Sequence, residues 1–198
     1  MKITLPQAAA QVQATLLASA EVKRQTAQVC TQEILQAAEI IAASFRRGGK
    51  LLLCGNGGSA ADCQHIAGEL VNRLSKDFER PGLPAIALTT DSSLLSAIAN
   101  DYSFEQVFER QVETLGQSGD VLLGISTSGK SSNVIRALKA ATNRGMQTIL
   151  LTGNHPEAYR QSTINIAVPS DNTQYIQEAH LAIEHILCTL VEHFLFRA

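Results

Sequence analysis

A basic excess is missing from this chain: 16 Lys and Arg stand against 18 Asp and Glu, a formal net charge of −2 over 198 residues. Without a basic field, nucleic acid and acidic membrane surfaces are poor partners, and an anionic ligand has to be held by local dipoles. The four cysteines, Cys30, Cys54, Cys63 and Cys188, show no C-x-x-C spacing and sit in apolar or helical stretches. They read as buried free thiols rather than as a zinc cluster or a disulfide framework. A signal-peptide core is missing too, because Pro6 and Gln7 interrupt the apolar run that follows Lys2, and no segment is read as a membrane span of roughly 20 apolar residues. A cytoplasmic protein with no membrane contact is expected. No repeat, low-complexity tract or linker divides the chain, and its length suits one α/β domain.

What is present is an alternation. Short apolar runs at 51–54, 85–88, 121–125, 148–151 and 164–168 are separated by helical stretches, which predicts right-handed βαβ crossovers and a five-stranded parallel sheet with ligands at the carboxyl ends of its strands. Two helices are predicted ahead of the sheet: 7–28, of modest amphipathicity, and 32–47, capped by Thr31 and carrying the apolar stripe Ile34, Leu35, Ala38, Ile41, Ala42 and Phe45. The division expected is 1–47 for these helices and 48–198 for the α/β core. The last helix, 174–196, is apolar over more of its surface than one sheet contact needs, which predicts burial between subunits.

Two loops carry the chemistry. After the first strand, Gly55-Asn56-Gly57-Gly58-Ser59 turns sharply into a helix for which Ser59 is the expected N-cap, so backbone N–H groups and the helix dipole face an anion. On that helix His65 and Glu69 stand four apart, on one face behind the loop. After the third strand, Ser126-Thr127-Ser128-Gly129-Lys130-Ser131-Ser132-Asn133 offers hydroxyls and a helix N-terminus to a phosphate. The G-x-x-x-x-G-K-[ST] spacing of a nucleotide-hydrolysing loop is lacking.

These two loops resemble the sugar isomerase (SIS) superfamily, and the likeness to its phosphoheptose isomerases extends through 84–87, Asn100-Asp101, 119–128 and Ile176-Gln177-Glu178 to His185. The resemblance implies a flavodoxin-like three-layer sandwich with an N-terminal helical extension. It implies an aldose-ketose isomerase that converts sedoheptulose 7-phosphate to D-glycero-D-manno-heptose 7-phosphate, the first step of bacterial ADP- or GDP-heptose synthesis, whose heptose goes to lipopolysaccharide, an S-layer glycan or another product. It assigns the phosphate to Ser126, Thr127, Ser128 and Ser131. The sugar falls to Asn56, Gly57, Gly58, Ser59, Asn100, Asp101 and Gln177, proton transfer to Glu69 and His185, and a zinc ion to His65, Glu69, Gln177 and His185. It further implies a homotetramer.

A ketose-to-aldose conversion removes a proton from C1, stabilises an enediol and returns a proton at C2, which suits Glu69 as base and His185 as acid. Gln177 and His185 lie eight residues apart on one helix, roughly 12 Å along its axis and about 80° apart in direction. Sharing the metal site between subunits is expected to relieve that span. His180 and Glu184 are read as structural. Lys130 stands where relatives often have Asn, and the segment from Gly153 through Pro156 lacks a further glycine pair found in some relatives, which leaves the path of that loop open. The competing reading is a non-catalytic SIS scaffold that binds the replication initiator. Such relatives lack the acid and base that Glu69 and His185 supply here. A sugar-phosphate-sensing regulator would need a basic recognition helix, which the first fifty residues do not offer.

Overall fold

The computed structural model describes residues 3–155 and 162–197; Lys2 and Pro156 lie outside them. Five strands, β1 (Leu51–Gly55), β2 (Ala85–Ala87), β3 (Val121–Ser126), β4 (Gln147–Thr152) and β5 (Ile164–Ala167), form one parallel sheet in the order β2-β1-β3-β4-β5. Each apolar run of the sequence becomes a strand because helices cover both faces, so polar alternation is not needed. β1 and β3 are buried throughout and pair Leu51 with Val121 through Gly55 with Ile125.

Leu51, Leu53, Leu123 and Ile125 point into one core, under α2 (Thr31–Arg46), α3 (Gly58–Val71) and α7 (Thr173–Phe196). Leu52, Cys54, Leu122 and Leu150 point into the other, under α4 (Ser92–Asp101), α5 (Glu109–Leu115) and α6 (Ser132–Asn143). The result is three layers. The long helix α1 (Leu5–Val29) lies outside them against α7, begun by a capping box between Thr4 and Gln7. It buries only Ser19 and Thr26, and Leu16 and Leu17 face outward. By contrast α2 is a core element, since Ile34, Ala37, Ala38 and Ile41 all pack into the first cluster.

Three expectations need correction. Thr31 is not the cap of α2; Cys30 holds that position, and the Thr31 hydroxyl donates back to the Ala27 carbonyl because the chain runs almost without a break from α1 into α2. Ser59 is not the cap of α3, because the helix already begins at Gly58, with Gly57 at φ 58 as its N-cap. One segment, α7, is after all long and apolar enough to cross a membrane. Its apolar residues are spent inside the domain, where Ile176, Ala179, Ile183, Leu187 and Val191 fill the core beside the sheet. The short helices α4 and α5 fall where no helix boundaries were predicted.

All four cysteines are free and buried, as expected, and burial pushes the Cys54 and Cys188 thiols up to about 12, which leaves them inert as nucleophiles. Ile41, 2% exposed, anchors α2 on the sheet. Ile41→Ala should cost about 2–5 kcal/mol in urea unfolding, and a loss below the lower figure would show that α2 is not a core element.

Candidate active site

The chain reverses direction along the sheet between β1 and β3: β2 lies on one side of β1 and every later strand on the other. A crevice opens at such a switch point, outside the carboxyl ends of the two strands. The loops after β1 and β3 border it and are tied to each other. Asn56 Nδ2 donates to Asn133 Oδ1 and Asn133 Nδ2 donates to Asn56 Oδ1, both at 2.9 Å. Asn133 Oδ1 also accepts from the Val134 N–H at 2.9 Å, so the amide pair fixes the first turn of α6 relative to the glycine loop.

In the second loop Ser126 and Ser131 join hydroxyls at 2.9 Å, and the Gly129 N–H closes a turn onto the Ser126 carbonyl at 3.0 Å. Ser131 is the N-cap of α6 by position, yet its side chain does not cap it. The hydroxyls of the loop are gathered instead at the positive end of the helix dipole, an arrangement suited to phosphate oxygens.

Helices α3 and α7 form the wall behind the glycine loop. His65 and His185 meet edge to face, with their Nε2 atoms 2.8 Å apart and ring centroids 5.0 Å apart. That spacing requires one Nε2 to donate and the other to accept. Glu69 Oε1 lies 3.9 Å from His65 Nε2. At the start of α7, Gln177 lies over Gly58, where a Cβ would come 2.8 Å from its Nε2. One chain therefore brings His65, Glu69 and His185 together. Two imidazoles and a carboxylate are donors that zinc accepts. Among the described residues no group of three or more His, Cys, Asp or Glu side chains already stands ready to hold a metal ion.

Other predicted residues stand differently. Ser59 is buried within the first turn of α3, its carbonyl 2.9 Å from where a Gly55 Cβ would be. Asn100 and Asp101 bond to each other at 2.9 Å at the exposed end of α4, and no described hydrogen bond joins them to the histidines or the serine loop. Three further residues gain weight from the structure. Asn133 is one, as half of the amide pair. Asp62 is another: it faces His65, which lowers its carboxyl against the stronger upward push of burial.

Glu184 is the third. With His180 it lies on the inner face of α7, fully buried, and neither of its carboxyl oxygens meets a partner among the described residues. His180 Nε2 donates to the Thr152 carbonyl at 3.2 Å, and burial, which outweighs the effect of that bond, keeps the imidazole neutral. Both side chains lie inside the domain, and Glu184 brings an unpartnered acid up behind the wall of α3 and α7.

The SIS domain family model matches residues 17–153, more than half of the chain. A phosphoheptose isomerase from Maridesulfovibrio salexigens is 54% identical over 91% of this chain and 88% of its own length. The chain belongs to the SIS domain family, among the phosphoheptose isomerases. Two solved members superpose closely. That from Francisella tularensis has a TM-score of 0.89 at 37% identity, covering 94% of this chain and 98% of its own. That from Neisseria gonorrhoeae has 0.85 at 42% identity, covering 92% and 97%.

The buried acid has a measurable consequence. Burial, with repulsion from Asp62 behind it, pushes the Glu184 carboxyl up to about 8, and burial pulls His180 down to about 4. The unfolded chain releases the Glu184 proton near its ordinary 4.5 while the folded chain keeps it. The stability from this group is therefore complete below 4.5 and lost as pH rises to 8. The His180 contribution is complete above its ordinary 6.5 and lost as pH falls toward 4. The two slopes oppose each other below 6.5, and the Glu184 loss stands alone from 6.5 to 8. Glu184→Gln should abolish that decline in denaturant-measured stability; a variant that declines as steeply as the parent would contradict the assignment.

Proposed function

We infer that this protein is an aldose-ketose isomerase acting on sedoheptulose 7-phosphate, with the phosphate in the Ser126–Ser131 loop and the reacting carbons against the wall of α3 and α7. The observation that supports it best is the convergence of His65, Glu69 and His185 at one end of a crevice whose other side gathers hydroxyls at a helix N-terminus. In this reading the α6 N-terminus and the hydroxyls of Ser126, Thr127, Ser128 and Ser131 anchor the phosphate. Asn56, Gly57, Gly58, Gln177, Asn100 and Asp101 orient the sugar chain. Glu69 takes the proton from C1, and the electron pair moves through the enediol. His185 delivers a proton to C2, and the product is the aldose 7-phosphate.

A zinc ion held by His65, Glu69, Gln177 and His185 would supply Lewis-acid polarisation of the oxygens on C1 and C2. The donor types and the close approach of the two imidazoles fit such an ion. The scaffold alternative loses ground because the acid and base are both present and adjacent.

We place the protein in the cytoplasm, where sugar phosphates are made and consumed, and propose a homotetramer. The outward Leu16 and Leu17 of α1 support an assembly, as does an apolar groove of about 360 Å³ between α1, α2 and α7 that includes Ile34, Leu35, Ile186 and Leu190. Sedimentation of the purified protein should give a mass four times 21.2 kDa; a monomer at all concentrations would refute it.

Glu69→Gln keeps the shape of the side chain and removes the base, so turnover of sedoheptulose 7-phosphate should fall by about 10² to 10⁴. Unchanged turnover would sink the assignment. Ser128→Ala, in contrast, should raise KM more than it lowers kcat, because the phosphate contact is made equally in ground and transition states.

A further inference from the structure

Beyond the reacting groups, the two walls of the site are joined at their far end by a buried ion pair. Arg80 lies in the segment that leads from α3 to β2, and its side chain is 1% exposed. Its Nε donates to Glu192 Oε1 at 2.7 Å, and the Glu192 side chain is 5% exposed. The rest of the guanidinium grips the end of α3: Nη2 donates to the Glu69 carbonyl at 2.8 Å, and Nη1 to the carbonyls of Leu70 at 2.8 Å and Pro81 at 3.0 Å. Glu69 and Leu70 belong to the last turn of α3, where carbonyls have no helical partner and the dipole favours a cation. Glu192 follows His185 by seven residues, close to two helical turns, so both project from the same side of α7.

We propose that Arg80 and Glu192 form a clamp that sets the spacing of α3 and α7, and that Arg80 is thereby a positioning residue for Glu69, His65 and His185. The guanidinium holds the main chain of Glu69 itself, the residue whose carboxyl must reach both the substrate carbon and the imidazoles. A buried ion pair is a poor source of stability, because desolvation offsets its attraction. What a planar five-donor group gives here is geometry: it fixes two helices at once, in directions that a lysine cannot reproduce. The phosphate loop, on β3 and α6, has no contact with the clamp and should not sense its loss.

The inference rests on the isomerase reading, and its test separates the two. Arg80→Lys, Arg80→Met and Glu192→Gln are made in the full chain. Each is compared with the parent for zinc affinity by chelator competition, for kcat and KM with sedoheptulose 7-phosphate, and for binding of inorganic phosphate. Zinc affinity and kcat should each fall about 10- to 100-fold, with KM and phosphate binding close to the parent and only slight recovery in Arg80→Lys. Variants that bind phosphate normally and keep parental zinc affinity and kcat would overturn the proposal. If the arginine variants do not fold, Glu192→Gln, which keeps the volume, decides. If the parent binds zinc but turns over no sugar phosphate, the isomerase reading fails while the zinc comparison still judges the clamp. A parent that does neither refutes both.

Discussion

Everything the site can do depends on α7 lying across α3. The two helices touch along one line, and the polar groups that shape the site are distributed on it: Gln177 over Gly58 at one end, the His65–His185 contact in the middle and the Arg80–Glu192 pair at the other. Neither helix could take this position without the sheet beneath. The apolar residues that seat them, Cys63, Ile66 and Leu70 on α3 and Ile176, Ile183 and Leu187 on α7, share one core with Leu51, Leu53 and Ile125. Packing of apolar faces thus sets the approach, and polar contacts at the edges set its details.

The second constraint is topological. Because β1 and β3 are neighbours, the loops that leave them open on the same crevice, and the reciprocal amide bonds of Asn56 and Asn133 hold those loops in register. A chain of net charge −2 can then receive a phosphate through aligned N–H groups and hydroxyls instead of a field of lysines. The same economy leaves polar groups buried behind the wall. His180 has a carbonyl partner at Nε2 and is held neutral by burial, and Glu184 keeps a proton to avoid an uncompensated charge.

The sheet was legible in the sequence because strands buried on both faces read as plain apolar runs, and the loops because Gly-Asn-Gly-Gly and Ser-Thr-Ser-Gly have few other uses between a strand and a helix. His65 and Glu69 were legible from helical spacing alone; His185 and Gln177 needed the family resemblance. Cap positions were misjudged at Thr31 and Ser59, since both residues already lie within the first turn of their helices. The partners of Asn133 and Arg80 and the burial of Glu184 stayed hidden for another reason. Asn133 meets Asn56 77 residues away and Arg80 meets Glu192 112 residues away, pairings that no local pattern encodes. The burial of Glu184 depends on how α7 is rotated, which a broadly apolar helix leaves open.

The account is tested most directly by running the reaction in heavy water. Purified protein supplied with zinc and sedoheptulose 7-phosphate in D₂O, followed by NMR at early times, should yield an aldose 7-phosphate carrying deuterium at C2, because the proton delivered there comes from an acid that exchanges with solvent. Failure to form any aldose, or an aldose whose C2 carries the protium that left C1, would contradict proton transfer by Glu69 and His185 as the source of the activity.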